Sequence, residues 1–369
     1  MNLEAVHTLA PSGAEELSFV LHEAMRGGQG VLAVGGGTEA HIGNPPRRCD
    51  LVVETSRMAG PVGDYSPADL VLTVGAGTEL AAIQEFLAGF GQRLPLEAPP
   101  GATAGGVVAA ATAGKRRSTC GTPRDWLVGF QAVAGTAKVL RAGGKVVKNV
   151  TGYDLCKLFC GSRGSLGVLT EVSFKVAPLP EEIAVARMPR TNLSEVEEVR
   201  QAALAAGAAW CDLHGAGDLV VEVGCEGYRE DVASQIARFA GERESHPGTE
   251  WQAEPPAPAF AEPLVVRIGA LPDRLVSLLG TLPFERVHAH LGAGIARVVP
   301  LAGEGGPDAS IAAWRAAVSA VGGWLVVERG PAGEDVFGPP RPEWELARRM
   351  KGVFDPDGIL APGRGPGRI

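Results

Sequence analysis

Apolar residues recur along this chain with two periods, and the switches between them mark out its elements. From Ala14 to Arg26, Leu17, Val20, Leu21 and Met25 share one helical face, and Gly27-Gly28 ends the helix. Val31–Val34 is a short apolar run leading straight into Gly35-Gly36-Gly37-Thr38, and Leu51–Glu54 is the next strand, so residues 1–60 predict a small βαβ unit. A second unit starts near Asp69, with a strand at Leu70–Val74, a helix capped by Thr78 and running to about Phe90, and an extended Arg93–Leu96. An Ala/Gly-rich stretch, Pro99–Gly114, then breaks the pattern. Phe130–Val133, Ala137–Leu140 and Lys145–Lys148 follow as strands, and Leu166–Thr170 and Glu171–Val176 close the unit before Pro178 and Pro180.

Between about 181 and 338 strands and helices alternate in an α+β manner. The strands fall at Ile183–Arg187, Leu219–Val223, Leu264–Ile268, Arg286–Leu291, Ile295–Val299 and Trp324–Val327. Glu195–Ala206, Glu230–Phe239, Asp273–Leu279 and Ala309–Val321 have helical spacing, and the polar, proline-rich Gly241–Pro263 reads as a mobile loop. The tail has one helix around Trp344–Met350, and no internal repeat is visible. The expected domains are 1–178, with subdomains of about 1–60 and 65–178, then 181–338, and a C-terminal segment 342–369 returning to the first domain.

Composition narrows the classes. The 369 residues are 45% hydrophobic and 21% charged, as in a globular protein with a sizeable core. A net charge of −8 excludes a binder that tracks nucleic-acid phosphates. The first residues lack a basic region followed by an apolar core, and no apolar run reaches the roughly 20 residues of a spanning helix, so the expected location is the cytoplasm. The six cysteines lack CxxC spacing; they read as free thiols rather than ligands of zinc or an iron–sulfur cluster.

Three glycine-bearing segments are candidates for chemistry. Gly35-Gly36-Gly37-Thr38 follows a strand, and consecutive amides in such a loop can cradle a phosphate, although a plain strand-to-loop turn has the same sequence. The run of small residues from Pro99 to Gly114 suits a backbone pressed against a flat ligand, or equally a tightly packed helix. Gly114-Lys115 is not a P-loop, because Ala109 and Arg116 stand where glycine and a hydroxyl residue are needed. Gly75-Ala76-Gly77 is not a dinucleotide fingerprint either, because Leu80 occupies the third glycine position.

The third segment is Lys148-Asn149-Val150-Thr151-Gly152-Tyr153-Asp154, followed by Gly161-Ser162-Arg163-Gly164-Ser165-Leu166-Gly167-Val168-Leu169-Thr170. Together with the two glycine loops and the ending Phe354-Asp355-Pro356-Asp357-Gly358-Ile359-Leu360-Ala361-Pro362-Gly363-Arg364, it resembles the vanillyl-alcohol-oxidase-type (PCMH-type) FAD-binding proteins, and among them the smaller flavin subunit of bacterial glycolate oxidase. The resemblance implies an α+β fold, with a two-subdomain FAD-binding domain and a smaller, ferredoxin-like cap domain. It implies non-covalent FAD, with the pyrophosphate on Gly35, Gly36, Gly37 and Thr38. Pro99, Thr103, Gly105, Gly106, Gly161, Ser162, Gly167 and Val168 would line the rest of the cofactor, and Lys115, Arg116, Arg117 and Arg124 would add positive charge near the phosphates or, equally, stand as solvent-exposed charges on a loop.

Oxidising a 2-hydroxy acid needs a base or metal for the hydroxyl and a cation for the carboxylate. His288 and His290, two apart on a strand, face one side; with Arg267 they are the candidate catalytic residues, with Arg297 and Arg329 as further carboxylate clamps, although a strand that simply keeps core or surface histidines has the same pattern. Related catalytic subunits carry His-x-x-Gly-Asp-Gly-Asn-x-His here, whereas this chain has Ala293 and Ile295 in place of Asp and Asn, so no metal is assigned. The resemblance therefore implies an FAD-binding subunit of a glycolate-oxidase-like complex, beside a larger FAD-binding catalytic subunit and an iron–sulfur subunit, reaching the inner face of the membrane only through them. An autonomous D-2-hydroxyacid dehydrogenase and a non-catalytic, FAD-holding structural subunit remain the alternatives.

Overall fold

Short apolar runs separated by glycine and proline fold here as two sets of sheets. The computed structural model describes residues 7–61, 63, 65–144, 154–248, 262–301, 306–331 and 335–369. One unit comprises Met1–Ala113, Gly121–Pro178 and Pro339–Ile369, and the other Gly114–Cys120 and Leu179–Gly338. Lys148–Tyr153 of the third motif, the expected strand Lys145–Lys148 and most of the expected loop Gly241–Pro263 lie outside the described residues.

In the first unit, β1 (His7–Leu9), β2 (Val31–Val34) and β3 (Leu51–Glu54) form a parallel sheet in the order β1-β3-β2. Helix α1 (Ala14–Arg26) buries Leu17, Leu21 and Ala24, spaced by three or four residues, against Val31, Leu51 and Val53. The second sheet is antiparallel, with β4 (Val71–Gly75), β6 (Leu127–Ala134), β7 (Val139–Gly143) and β8 (Gly167–Lys175) in the order β4-β8-β6-β7. Two predicted strands, Leu166–Thr170 and Glu171–Val176, are one continuous strand, β8. β5 (Gln92–Arg93) pairs with β9 (Ala177–Pro178).

Around this sheet lie α2 (Leu80–Ala88), α3 (Ala104–Ala110), α5 (Pro123–Trp126), α6 (Leu155–Phe159) and α11 (Glu343–Phe354). Helix α2 starts two residues after Thr78, which instead donates its hydroxyl to the carbonyl of Gly60. The Ala/Gly-rich run contains only the short α3, capped by the Thr103 side chain. The tail returns beside β2, where Val31 donates to Ile359 and accepts from Ala361.

The second unit holds one eight-stranded sheet. Its strands are β10 (Glu182–Arg190), β11 (Trp210–Ala216), β12 (Asp218–Gly227), β13 (Glu242–Pro247), β14 (Val265–Gly269), β15 (Phe284–His290), β16 (Ile295–Pro300) and β17 (Trp324–Arg329). Helices α7 (Leu193–Ala206), α8 (Arg229–Ile236), α9 (Pro272–Leu279) and α10 (Gly306–Ala320) alternate with them, and the short α4 (Arg117–Cys120) belongs to this unit. The order β13-β10-β12-β11-β15-β16-β14-β17 is two βαββαβ halves joined edge to edge through β11 and β15. The structure thus contains a duplication where no sequence repeat was visible, because only the order of elements repeats. Each half reproduces the ferredoxin-like strand order.

Alternation sets the two faces of this sheet. Leu213, Val221, Val223, Val266, Ile268, Val287, Ala289 and Val298 point into a core completed by α7, α9 and α10. Their neighbours Asp212, His214, Glu222, Arg267, His288, His290 and Arg297 occupy the opposite face. Strands β11 and β13 were missed in the sequence, β11 because polar Asp212 and His214 interrupt it and β13 because Glu242–Pro247 is polar throughout. Gly224 on β12 leaves room for Trp210 on β11, since a Cβ there would overlap the indole ring. Gly224→Ala is expected to destabilise the second unit by about 1–3 kcal/mol. Chemical denaturation followed by tryptophan fluorescence checks this, and an unshifted midpoint would refute it.

Candidate functional site

The glycine loop after β2, the start of α3 and the start of β8 line one cavity of the first unit, with about 930 Å³ of empty space including its open mouth. Of the sequence-predicted cofactor residues, Gly35, Gly36, Gly37, Thr38, Thr103, Gly105, Gly106, Gly167 and Val168 line it. Pro99, Gly161 and Ser162 stand behind the lining: the Pro99 carbonyl accepts from Ala102, Gly161 donates to Val108, and the Ser162 carbonyl accepts from Ser165.

The glycines do two kinds of work. A Cβ on Gly36 would overlap the carbonyl oxygen of Gly101, and one on Gly35 would overlap the hydroxyl of Thr103. These two glycines therefore let the loop after β2 touch the loop before α3, a contact within the protein rather than one reserved for a ligand. Gly37 has φ +70 and needs glycine's freedom instead. Among the described residues, the amides of Gly36, Gly37 and Thr38 donate to no carbonyl or side chain. Successive unengaged amides are what an anion-binding loop requires. The hydroxyl of Thr112, also in the lining, is buried and has no partner among the described residues. Space, free amides and an orphaned hydroxyl all fit a phosphate-bearing cofactor.

The cations of the cavity are Arg163 and Arg364 rather than those proposed from the sequence. Arg163 holds a left-handed backbone at φ 51, fixed by its amide to the carbonyl of Ala109, a conformation that costs a non-glycine residue energy and often marks a functional site. Arg364 is buried and donates to the carbonyls of Ala40 (2.9 Å) and Ile42 (2.7 Å), and burial lowers its pKa. Both lie in segments whose glycines drew attention in the sequence; nothing in the pattern distinguished the arginines themselves.

Lys115, Arg116 and Arg117 fall in the second unit and Arg124 is exposed on α5; none lines the cavity. Lys115 Nζ lies 3.1 Å from Glu222 and 3.9 Å above the Trp210 ring, and Arg116 Nε lies 2.8 Å from Glu226. Both side chains are almost fully buried, and their carboxylate partners make that burial tolerable. The family resemblance offered these cations to a phosphate or, equally, to solvent; the fold commits Lys115 and Arg116 to ion pairs.

On the polar sheet face of the second unit, Asp212 lies opposite His290, and His214 opposite His288. Nδ1 of His290 is 3.0 Å from both Asp212 oxygens, and Nε2 of His288 is 3.4 Å from one of them. Burial pushes the Asp212 carboxyl up, but the two imidazoles outweigh it and hold it well below the usual carboxylate range. Asp212, which the sequence did not single out, thus organises the histidine pair; three such donors within 4.8 Å of one another could also hold a metal ion. Arg297 and Arg267 both face Glu328, whereas Arg329 is exposed.

An α+β chain with a glycine-loop cavity of this kind is a nucleotide-cofactor protein. Residues 6–143 match the family described as the FAD binding domain. The chain is 36% identical over 247 residues to glycolate oxidase subunit GlcE of Escherichia coli, covering 62% of this chain and 69% of that protein. It is 31% identical to the D-lactate dehydrogenase of Archaeoglobus fulgidus and 30% identical to glycolate oxidase subunit GlcD of Bacillus subtilis, spanning 42% and 37% of their lengths. Among solved structures, alkyldihydroxyacetonephosphate synthase shares the fold, with a TM-score of 0.68 at 15% identity over 96% of this chain and 76% of that one. The chain belongs to the PCMH-type FAD-binding family of oxidoreductases, and its cofactor is FAD. Among the described residues, no helix is long and apolar enough to cross a membrane.

Proposed function

We propose that this chain is the FAD-binding subunit of a glycolate-oxidase-like complex that oxidises glycolate, D-lactate or a similar 2-hydroxy acid to the 2-oxo acid. It works in the cytoplasm beside a larger FAD-binding catalytic subunit and an iron–sulfur subunit, and meets the membrane only through them. The observation that carries this reading is the 36% identity to a named glycolate oxidase subunit over 69% of that protein's length. FAD supplies the hydride acceptor when bound.

The chain's own residues divide the remaining work. The Gly35–Thr38 amides hold the pyrophosphate, with Arg163 and Arg364 in the role that the sequence gave Arg117 and Arg124. The cofactor is held without a covalent bond, a reading supported by the absence of histidine and cysteine from the cavity's described lining. On the polar sheet face, the His288–His290 pair held by Asp212 takes up the hydroxyl proton and Arg267 faces the carboxylate. The six cysteines form no cluster set, so electrons leave through a partner.

The test is the visible absorption spectrum of the purified chain before and after anaerobic addition of glycolate or D-lactate. Flavin bands that persist until the partner subunits are added, and then bleach, are the expected result. Bleaching in the isolated chain would favour an autonomous dehydrogenase, which the similarity to D-lactate dehydrogenase also supports. Bands that never bleach would leave a structural, FAD-holding role.

A further inference from the structure

One short segment leaves the first unit in mid-chain. Gly114–Cys120 is part of the second unit, whereas Ala113 before it and Gly121 after it are part of the first. Thr112, which lines the cofactor cavity, precedes Lys115 by only three positions.

The excursion is anchored where it begins. Lys115 and Arg116 are each 4% exposed, and both cations lie over the indole of Trp210, at 3.9 and 4.4 Å from the ring centre. Glu222 accepts from Lys115 Nζ at 3.1 Å and from Nε1 of Trp210 at 3.0 Å, so cation, ring and carboxylate form one closed set. Glu226 accepts from Arg116 Nε at 2.8 Å, and Thr119 donates its hydroxyl to the carbonyl of Ala209 at 2.8 Å. Buried ion pairs resist opening, because each charge would lose its partner without gaining water. Lys115 is therefore a fixed point of the second unit.

The residues just before the anchor have a different character. Ala109, Ala110 and Thr112 line the cavity. Ala111 among them holds a left-handed backbone at φ 55, which costs a residue with a Cβ energy and persists only where the surroundings impose it. The buried Thr112 hydroxyl has no partner among the described residues, and the phosphate and hydroxyl oxygens of FAD are the kind it lacks. Three residues span at most about 11 Å, so the anchor limits where Thr112 can stand. A ligand that fixes Thr112 restrains, in turn, the chain that leads to Lys115.

We propose that Gly114–Cys120 is a strap that couples cofactor occupancy of the first unit to the sheet of the second, with Lys115 as its positioning residue. Lys115 lies outside the cavity's described lining and acts through the backbone that joins it to Thr112. Coupling free energy is reciprocal, so loosening the strap weakens FAD binding by the factor by which FAD tightens the strap. The strap depends on FAD as the cofactor and on neither the identity of the hydroxy acid nor the partner subunits.

Two measurements test it. Hydrogen exchange of the parent chain with and without FAD reads the strap itself. The amides of Arg117, Thr119 and Cys120, which donate to the carbonyls of Gly114 and Arg116, should exchange about fivefold more slowly, or slower still, once FAD is bound. Fluorescence titration of the apoprotein with FAD reads the cavity. Lys115→Met keeps the aliphatic stem, and Glu222 keeps Arg187 at 3.0 Å, so no bare carboxylate is left behind. This variant should bind FAD about fivefold more weakly or worse, and Lys115→Arg should recover most of the loss. Val298→Ala is the comparison: it opens a cavity in the core on the sheet's other face, lowering the melting temperature while leaving FAD affinity unchanged. Exchange that is the same with and without FAD would overturn the proposal, as would parental FAD affinity in Lys115→Met. Equal weakening in Val298→Ala would overturn it too, since general stability would then account for the effect. Should Lys115→Met not fold, Thr112→Val removes the hydroxyl alone; it should weaken FAD and shrink the slowing of the strap, and slowing of parental size would refute the coupling.

Discussion

Gly36→Val is expected to purify without flavin and to melt at a lower temperature than the parent chain even when both are free of cofactor. The second half of that result follows from the geometry. A side chain at this position meets the carbonyl of Gly101 before it meets any ligand, so the two loops that form the cavity must separate. Backbone cannot swing aside as a flexible side chain can, so the cost belongs at or above the roughly 1–3 kcal/mol typical of overpacking. FAD affinity should fall by more than tenfold, about 1.4 kcal/mol, because the free amides of Gly36, Gly37 and Thr38 lose their arrangement. Gly35→Ala, which meets the Thr103 side chain rather than backbone, should cost less. Flavin fluorescence and apoprotein melting measure both quantities. An apoprotein of unchanged stability would mean that Gly36 serves the ligand alone.

The second large effect lies at the other end of the chain. Asp355→Ala should destabilise the first unit by about 3–5 kcal/mol, the range for breaking a buried ion pair by removing one partner. Asp355 is 2% exposed and receives Lys351 Nζ at 2.6 Å and the amides of Ile359 and Leu360 at 3.0 and 2.8 Å. Removing it orphans both amides and leaves the ammonium of Lys351, among the described residues, with only the carbonyls of Ser165 and Leu360. The segment that loosens is the one paired with Val31, and Val31 starts the strand leading into the glycine loop. Hydrogen exchange across residues 355–364 should therefore quicken, and flavin retention should fall with it. Protection of that segment at parental levels would refute the argument.

The glycine loops were legible in the sequence because their chemistry is local. A triple glycine after an apolar strand, a run of small residues and a third glycine-bearing segment each restrict the backbone on their own, and α1, β2 and β3 were equally plain in their hydrophobic spacing. Reading all the nearby cations as phosphate partners failed for Lys115 and Arg116, because the chain between Gly114 and Cys120 belongs to the second unit and nothing in its spacing says so. The polar strands β11 and β13 were illegible for a related reason. Their pairing partners lie up to about 80 residues away, and strand character supplied by neighbours leaves no period in the strand itself.

By itself, then, the sequence determined the backbone-restricted features: the order of most elements, the glycine loops and, through their motifs, the FAD-binding family. Tertiary structure alone decided which charges meet. It joined Asp212 to His288 and His290 across two strands, set two arginines against one Glu328, and brought Arg364 from the tail to the cavity beside Arg163. Backbone preferences act over a few residues and are written where they act. Charge pairing acts through space, and only the register of distant strands fixes it.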